Sequence, residues 1–569
     1  MKKLAAVALL LTLPLLAFAG KRPELHIVTT GDIHGSFFNR PYVDGARSRT
    51  SLMSVKYYVD SLRAAVGPEN VLLLDAGDIL QGDNASYYYN YVATDVPHVY
   101  PRMAKYMGYD ACTVGNHDIE TGHAVYDRVL AQMTEQGIPW LGGNAIKPDG
   151  SLYFPEYAVF RKAGRKILVM GYNNANIDHW LAEELRSGMS HVSLIPYVQQ
   201  RVDALKASIK PDAVIVLVHS GTGKGDGAII ENQGLDLFNS IHGVDVLVCA
   251  HDHQPASFKR SDMVMVDGGA RCGNVGHVTL GFRCGKVSGR EVELVRLNKN
   301  HVDEAMVAAF DPEFQAVREF TLQKVGSLEV TLRSREAYSG MCPYIDLLQT
   351  VQLASTGADL SLAAPLSFNS TVPAGPVVFD DMFKIYPYEN QLYVLKLTGR
   401  EFKSLLEYSY DKWITVPGEH LLAIQERADD RTGASRWSFV NRSYNFDSAA
   451  GIIYSVDVTK PAGSRVCIDS FADGRPFDLD ATYRVAMTSY RANGGGSLLT
   501  DGAGIPHSEL ASRVERKFPE VRDLIFSFIK EHGTVDSSLV SDRSLLGRWS
   551  FVPESVAQPL LASDLELLF

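Results

Sequence analysis

After Phe18 the chain contains no apolar run approaching the roughly 20 residues a membrane-spanning helix needs. The sequence therefore predicts no membrane anchor. Cysteine is scarce: Cys112, Cys249, Cys272, Cys284, Cys342 and Cys467 are six in 569 residues, and none has metal-binding spacing. Cys112 and Cys249 lie in apolar stretches and read as buried thiols, while Cys272 and Cys284 are candidates to pair across neighbouring strands. Basic residues are outnumbered, with 55 Lys and Arg against 66 Asp and Glu and a formal net charge of -11. No basic stripe is visible, which argues against a protein that tracks a nucleic acid polymer. A small anionic substrate held by metal fits this balance better. Internal repeats and low-complexity tracts are also missing.

What is present begins with Lys2 and Lys3, an apolar run over residues 4–18, and the small-residue site Ala17-Phe18-Ala19. This reads as an export signal cleaved after Ala19, since Pro14 interrupts a run too short to span a bilayer. The mature chain is expected to be periplasmic or secreted. A chain of 569 residues exceeds what one hydrophobic core usually organises, so two or more domains are expected.

The chemistry concentrates where apolar β-prone runs end. Residues 25–29 run into Gly31-Asp32-Ile33-His34-Gly35; Asp and His two apart at a strand exit point to the same side and reach one ion. An amphipathic helix follows (Leu52, Val55, Val59, Leu62, Val66), then an apolar strand over 71–74 that opens into Asp75-Ala76-Gly77-Asp78. The run ending at Val114 leads to Gly115-Asn116-His117-Asp118, an amide oxygen, an imidazole and a carboxylate in succession. Residues 213–218 deliver His219, and residues 244–250 deliver His251-Asp252-His253. Of 16 histidines, five (His34, His117, His219, His251 and His253) sit at such exits, whereas core or surface histidines would scatter. Strand, helix and buried strand in alternation predict an α/β architecture with helices covering a sheet.

These blocks, in this order and spacing, resemble the 5'-nucleotidase and 2',3'-cyclic-nucleotide 2'-phosphodiesterase family of calcineurin-like dinuclear metallophosphoesterases. The resemblance covers nearly the whole mature chain. It implies a four-layer α/β sandwich domain followed by an α+β substrate-specificity domain. It implies two divalent metal ions, one held by Asp32, His34, Asp78 and His253 and the other by Asp78, Asn116, His219 and His251, with Asp78 bridging. It further implies that His117 is not a ligand but stabilises the phosphoryl group, oriented by Glu120 or, as second candidate, Asp118. The implied chemistry is attack on phosphorus by a hydroxide that the two ions generate. Zinc, manganese, cobalt and iron all suit such mixed ligands.

The expected division is a signal peptide over 1–19, the catalytic domain over 24–300, a linking helix over 301–334 with Met306, Phe310, Phe314 and Val317 at helical spacing, a nucleoside-binding domain over 335–550, and a tail over 551–569. The second domain resembles the family's at Tyr386-Pro387-Tyr388-Glu389-Asn390, Asn445-Phe446-Asp447 and Thr488-Ser489-Tyr490-Arg491. The family clamps a nucleobase between two aromatic rings; Tyr490 is the expected first ring and Phe446 or Tyr444 the second. Asn390 and Arg491 join them as substrate-binding candidates.

After Ala358-Asp359, 5'-nucleotidases carry a block whose arginine contacts the phosphate, and this chain instead has Ser361-Leu362-Ala363-Ala364-Pro365-Leu366. That departure, with Gly494-Gly495-Gly496 and the final His253, resembles the cyclic-phosphodiesterase and 3'-nucleotidase branch. The leading expectation is thus an exported nucleotide phosphohydrolase of that branch. A 5'-nucleotidase or UDP-sugar hydrolase is the alternative, with an inactive metal- and nucleotide-binding protein or a thiosulfohydrolase more remote.

Overall fold

The computed structural model describes residues 24–43, 47–181, 183–227, 230–428 and 435–569. The expected signal peptide lies outside the described residues. The first region alternates strands and helices. Its strands are β1 (Leu25–Thr30), β2 (Val71–Asp75), β3 (Ala111–Thr113), β4 (Trp140–Leu141), β5 (Ala145–Ile146), β6 (Tyr157–Lys162), β7 (Arg165–Tyr172), β8 (Ser190–His191), β9 (Ala213–Val218), β10 (Val246–Cys249), β11 (Ala256–Lys259), β12 (Val264–Asp267), β13 (Asn274–Arg283) and β14 (Lys286–Arg296). They form two six-stranded sheets, ordered β14-β13-β1-β2-β3-β4 and β11-β12-β10-β9-β7-β6, beside a small β5-β8 ladder.

Within each sheet the central strands run parallel, β1-β2-β3-β4 in one and β7-β9-β10-β12 in the other. Parallel strands covered on both faces need apolar side chains on both, which is why β9 reads AVIVLV with every residue buried. Alternate residues then divide between two cores. Ile27, Leu72 and Leu74 meet Ile215, Leu217 and Val248 between the sheets. Val28 and Leu73 pack outward on Val55 and Val59 of the helix Leu52–Val66, and Val214 and Val216 pack on Val198 and Val202 of the helix Leu194–Ile209. Helix, sheet, sheet and helix make the four-layer sandwich. Its consequence is positional: the parallel strands of both sheets end on one edge.

The segment 301–334 is not one linking helix. Helices Glu304–Ala309 and Asp311–Thr321 are separated at Phe310, whose φ of -111° is non-helical, and Pro312 suits the start of the second. Met306, Phe310, Phe314 and Val317 bury against the first region, and the strand Lys324–Leu328 already belongs to the second, pairing with Gly375–Val378 and Thr534–Val535. Nor is 551–569 a tail. The strand Gly547–Val552 lies parallel to Ile452–Asp457, and the helix Glu554–Leu568 buries Leu561 and Leu568 in the second region's core.

That second region is α+β. A five-stranded sheet runs in the order Ser448–Ala450, Leu360–Ala363, Thr482–Thr488, Gln391–Thr398, Val514–Glu520, flanked by helices Pro343–Thr356 and Gly399–Trp413. The two regions meet directly. Asn84 Nδ2 donates to Asp380 at 2.7 Å and the Tyr87 hydroxyl to Asp523 at 2.9 Å. The cysteine expectation fails: Cys272 and Cys284 are free thiols at opposite ends of β13, too far along one strand to bridge.

Candidate active site

At the shared strand edge the chain turns out of β1, β2, β3, β9 and β10 and leaves Asp32, His34, Asp78, Asn116, His117, His219, His251 and His253 around one centre. Two clusters form, Asp32 with His34 and His253, and Asp78 with His219 and His251; within each, the ligand-type atoms lie within 4.8 Å of one another. The turns are strained. Asp32, His34, Asp78, His251 and His253 all have positive φ, between 48° and 103°, a region costly for residues with a Cβ. Gly115 permits the closest approach, because a Cβ there would lie 2.1 Å from Asp78 Oδ1.

Two of the imidazoles are oriented by a backbone carbonyl at the other ring nitrogen. His219 Nδ1 donates to the Ala76 carbonyl at 2.8 Å, leaving Nε2 3.0 Å from Asp78 Oδ2. His34 Nδ1 donates to the Gln81 carbonyl at 3.0 Å, leaving Nε2 2.9 Å from His253 Nε2. Asn116 Oδ1 lies 2.8 Å from His251 Nδ1. Burial holds His251 down at about 3 and His253 at about 4, and burial together with His253 holds His34 well below the usual range, so these three imidazoles are neutral at pH 7. Burial opposes charge on His219 too, but Asp78 and Asp32 outweigh it and lift it to about 10.

His117 stands apart from both clusters. Its Nδ1 is 2.5 Å from Glu120 Oε2, and its backbone N–H donates to Asp78 Oδ1 at 2.8 Å. Burial works against its charge, yet Asp78 and Glu120 raise it to about 9. Asp118 does not orient this ring. Its carboxylate accepts from the amides of Asp78, Ile79, Leu80 and Gly115 at 2.8–3.1 Å, which ties the loop after β2 to the loop after β3. Asp75 accepts from Thr30 Oγ1 and the Gly77 amide, the structural role its position suggests.

A cleft of about 460 Å³ opens from His117, His251 and His253 towards the second region, where Tyr388, Tyr444 and Tyr490 line it. The rings of Tyr444 and Tyr490 are 6.4 Å apart at 84°, edge to face. A base stacked on one therefore meets the other at its edge, and a parallel sandwich requires one ring to turn. Phe446 is not a cleft residue: it is fully buried and stacks on Trp413 at 5.6 Å and 5°. Arg491 is 3 % exposed with its donors already used, on Asp447 (2.7 Å), Asn445 (3.2 Å) and the carbonyls of Tyr444 and Gly495. It lines the cleft and braces the loop carrying Tyr444 against the helix carrying Tyr490. Asn390 lines the cleft, its amide nitrogen on the Tyr386 hydroxyl at 3.3 Å.

Residues 25–255 match the calcineurin-like phosphoesterase family and residues 324–501 the 5'-nucleotidase C-terminal domain. The chain joins a calcineurin-like phosphoesterase domain to a 5'-nucleotidase C-terminal domain. Among its relatives, the trifunctional nucleotide phosphoesterase protein YfkN of Bacillus subtilis is 24% identical over 96% of this chain, which spans only 40% of YfkN. The 2',3'-cyclic-nucleotide 2'-phosphodiesterase/3'-nucleotidase of Haemophilus influenzae is 24% identical over 93% of this chain and 88% of its own. The 5'-nucleotidase precursor of Thermus thermophilus shares the fold, with a TM-score of 0.62 at 20% identity over 93% of this chain and 100% of that one.

The family implies divalent metal ions, and the phosphoesterase's residues fit them. Asp32 Oδ1 is buried without a hydrogen bond, Asp78 Oδ2 and His219 Nε2 have only each other at 3.0 Å, and the neutral imidazoles of His34 and His253 face each other through Nε2 at 2.9 Å. A cation satisfies all of these at once. Sequence reasoning missed two cleft residues. Gln81 lies between the ligand-type Asp78 and Gly82 in the loop after β2, a position that was the only available signal. Arg442 stands two residues before Tyr444, and its side chain makes no hydrogen bond or ion pair with another described residue, although Asp252, Tyr388 and Tyr444 all feel its charge. No helix among the described residues is long and apolar enough to cross a membrane.

Proposed function

We propose that the phosphoesterase hydrolyses nucleotides, acting as a 2',3'-cyclic-nucleotide 2'-phosphodiesterase and 3'-nucleotidase. The observation that carries this is a cleft lined by one imidazole of each cluster, His253 and His251, with His117 at one end, and by the Tyr444–Tyr490 pair at the other. Aromatic faces accept any base, and the acidic chain needs a local source of positive charge for a phosphate. Two divalent ions held by Asp32, His34, Asp78, Asn116, His219, His251 and His253 supply that charge when bound, together with an acidified water.

The chain's own contribution is positioning. Asp78 belongs to one cluster and its charge reaches Asp32 and His34 of the other, Asp118 locks the two loops that carry Asp78 and Asn116, and Glu120 holds His117 by Nδ1 so that the remaining ring nitrogen faces the cleft as a donor to the phosphoryl oxygens. The apolar Ala363 and Ala364 line the cleft where a 5'-nucleotidase-type arginine block is missing, which favours the cyclic and 3' substrates over AMP. The same reading extends to export, by the signal-type start of the sequence.

The test is phosphate release by purified protein loaded with manganese or zinc, comparing 2',3'-cyclic AMP, 3'-AMP, AMP and UDP-glucose. Preference for the first two supports the assignment. Preference for AMP or UDP-glucose replaces it with the 5'-nucleotidase or UDP-sugar hydrolase reading, and no turnover with both ions present points to a binding protein.

A further inference from the structure

Gln81 is 2 % exposed and lines the cleft between the two regions. Its carbonyl accepts from His34 Nδ1. Its amide nitrogen donates at 3.1 Å to Glu120 Oε2, the same oxygen that holds His117 Nδ1 at 2.5 Å. Glu389, which comes from the second region and is 4 % exposed, stands beside the Gln81 side chain, which favours its charged form. One primary amide has two hydrogens, so it can serve one carboxylate from each region.

Glu389 is itself held from both sides. The Tyr91 hydroxyl of the first region donates to its Oε2 at 3.3 Å, and Arg522 Nη1 of the second lies 3.6 Å from its Oε1. Arg522 is fully buried, donates from Nε to the Tyr386 carbonyl at 3.0 Å, and stacks 4.0 Å over the Phe383 ring. Glu389 Oε1 and Arg522 Nη1 and Nη2 are buried without a hydrogen bond. Such a cluster is costly, and apolar residues would hold two regions together more cheaply. Its position against the Glu120–His117 pair gives it a use. A glutamate reaches through three rotatable bonds and fixes an imidazole only when its own carboxylate is fixed.

We propose that Gln81 and Glu389 are positioning residues for His117, a bridge through which docking of the second region sets the Glu120 carboxylate and hence the imidazole facing the phosphoryl group. This rests on the role given to His117 above. It makes the second region part of the rate, in addition to its part in binding the nucleoside.

The test is steady-state kinetics of Gln81→Met and Glu389→Gln, each alone and combined with His117→Ala, with metal content measured on every sample. Either substitution alone is expected to lower kcat roughly 10–100-fold, with KM within about twofold and metal content unchanged; on the His117→Ala background each should change kcat by less than about twofold. Asn84→Ala, which removes only the Asp380 contact between the regions, is the comparison for docking and should leave kcat near that of the parent. Should Glu389→Gln fail to fold, Tyr91→Phe is the milder variant, with kcat expected to fall about threefold.

In the metal-free protein labelled with ¹⁵N-histidine, the His117 ring signals should move in both single variants. Unchanged kcat in both, or equal losses with and without His117, overturns the bridge. If His117→Ala alone keeps its rate, the role given to His117 fails first, and the ring signals then decide: a His117 spectrum unmoved by both substitutions overturns the bridge as well.

Discussion

His117 and Arg442 carry opposite kinds of expectation. His117 touches neither cluster as a ligand and faces the cleft, so His117→Ala should retain both ions by elemental analysis while phosphate release falls roughly 10²–10³-fold, the loss typical of removing one preorganised donor. Arg442 is a cleft cation whose side chain makes no hydrogen bond with another described residue. Arg442→Ala should raise KM about tenfold with little change in kcat, because a charge-assisted hydrogen bond to the substrate is lost in ground and transition state alike. The ligand-type residues were legible in the sequence because each follows an apolar strand at short, fixed distance. Gln81 and Arg442 were not, since what matters about them is a partner, or the lack of one, hundreds of positions away. Phe446 and Tyr444 are two residues apart in one short turn, and only Trp413, stacked on Phe446, decides which of them faces inward.

Among elements, the helix Glu554–Leu568 departs furthest from its appearance in the sequence. Pro559 falls in its interior and reads as a stop, yet the helix continues and its Asp564 is fully buried, accepting from the amides of Leu421 and Leu422 at 2.8 Å and pairing with His420 at 2.6 Å. Asp564→Ala strands two backbone N–H groups, and a loss of about 3 kcal/mol in chemical unfolding of the second region is expected, with metal content unaffected. Elements of the first region were easier to read. Their strands are buried on both faces and announce themselves as continuous apolar runs, whereas the half-exposed strands Val466–Phe471 and Val514–Glu520 carry a weaker alternation.

For the whole molecule, the two-sheet arrangement links metal to stability. Each cluster draws on both sheets: Asp32 and His34 with His253, Asp78 with His219 and His251. Cations held there fasten one sheet to the other, and an ion present at 100 times its dissociation constant adds about 2.7 kcal/mol. Chelation should therefore lower the thermal unfolding midpoint of the first region, and restoring manganese or zinc should recover it; a midpoint indifferent to chelator would reject the clusters as the ion sites. The four-layer architecture was legible from the alternation of apolar runs. The meeting of the two regions at Gln81, Glu389 and Arg522 was not, because a buried charged contact leaves no periodic trace.

The wiring of the second region also sets an order of events during synthesis. The strand Lys324–Leu328 waits for Thr534–Val535, and Ile452–Asp457 waits for Gly547–Val552. Until these late partners have left the ribosome, the region has open sheet edges and an uncovered core, so it cannot complete its fold before residues 534–552 are free to pair.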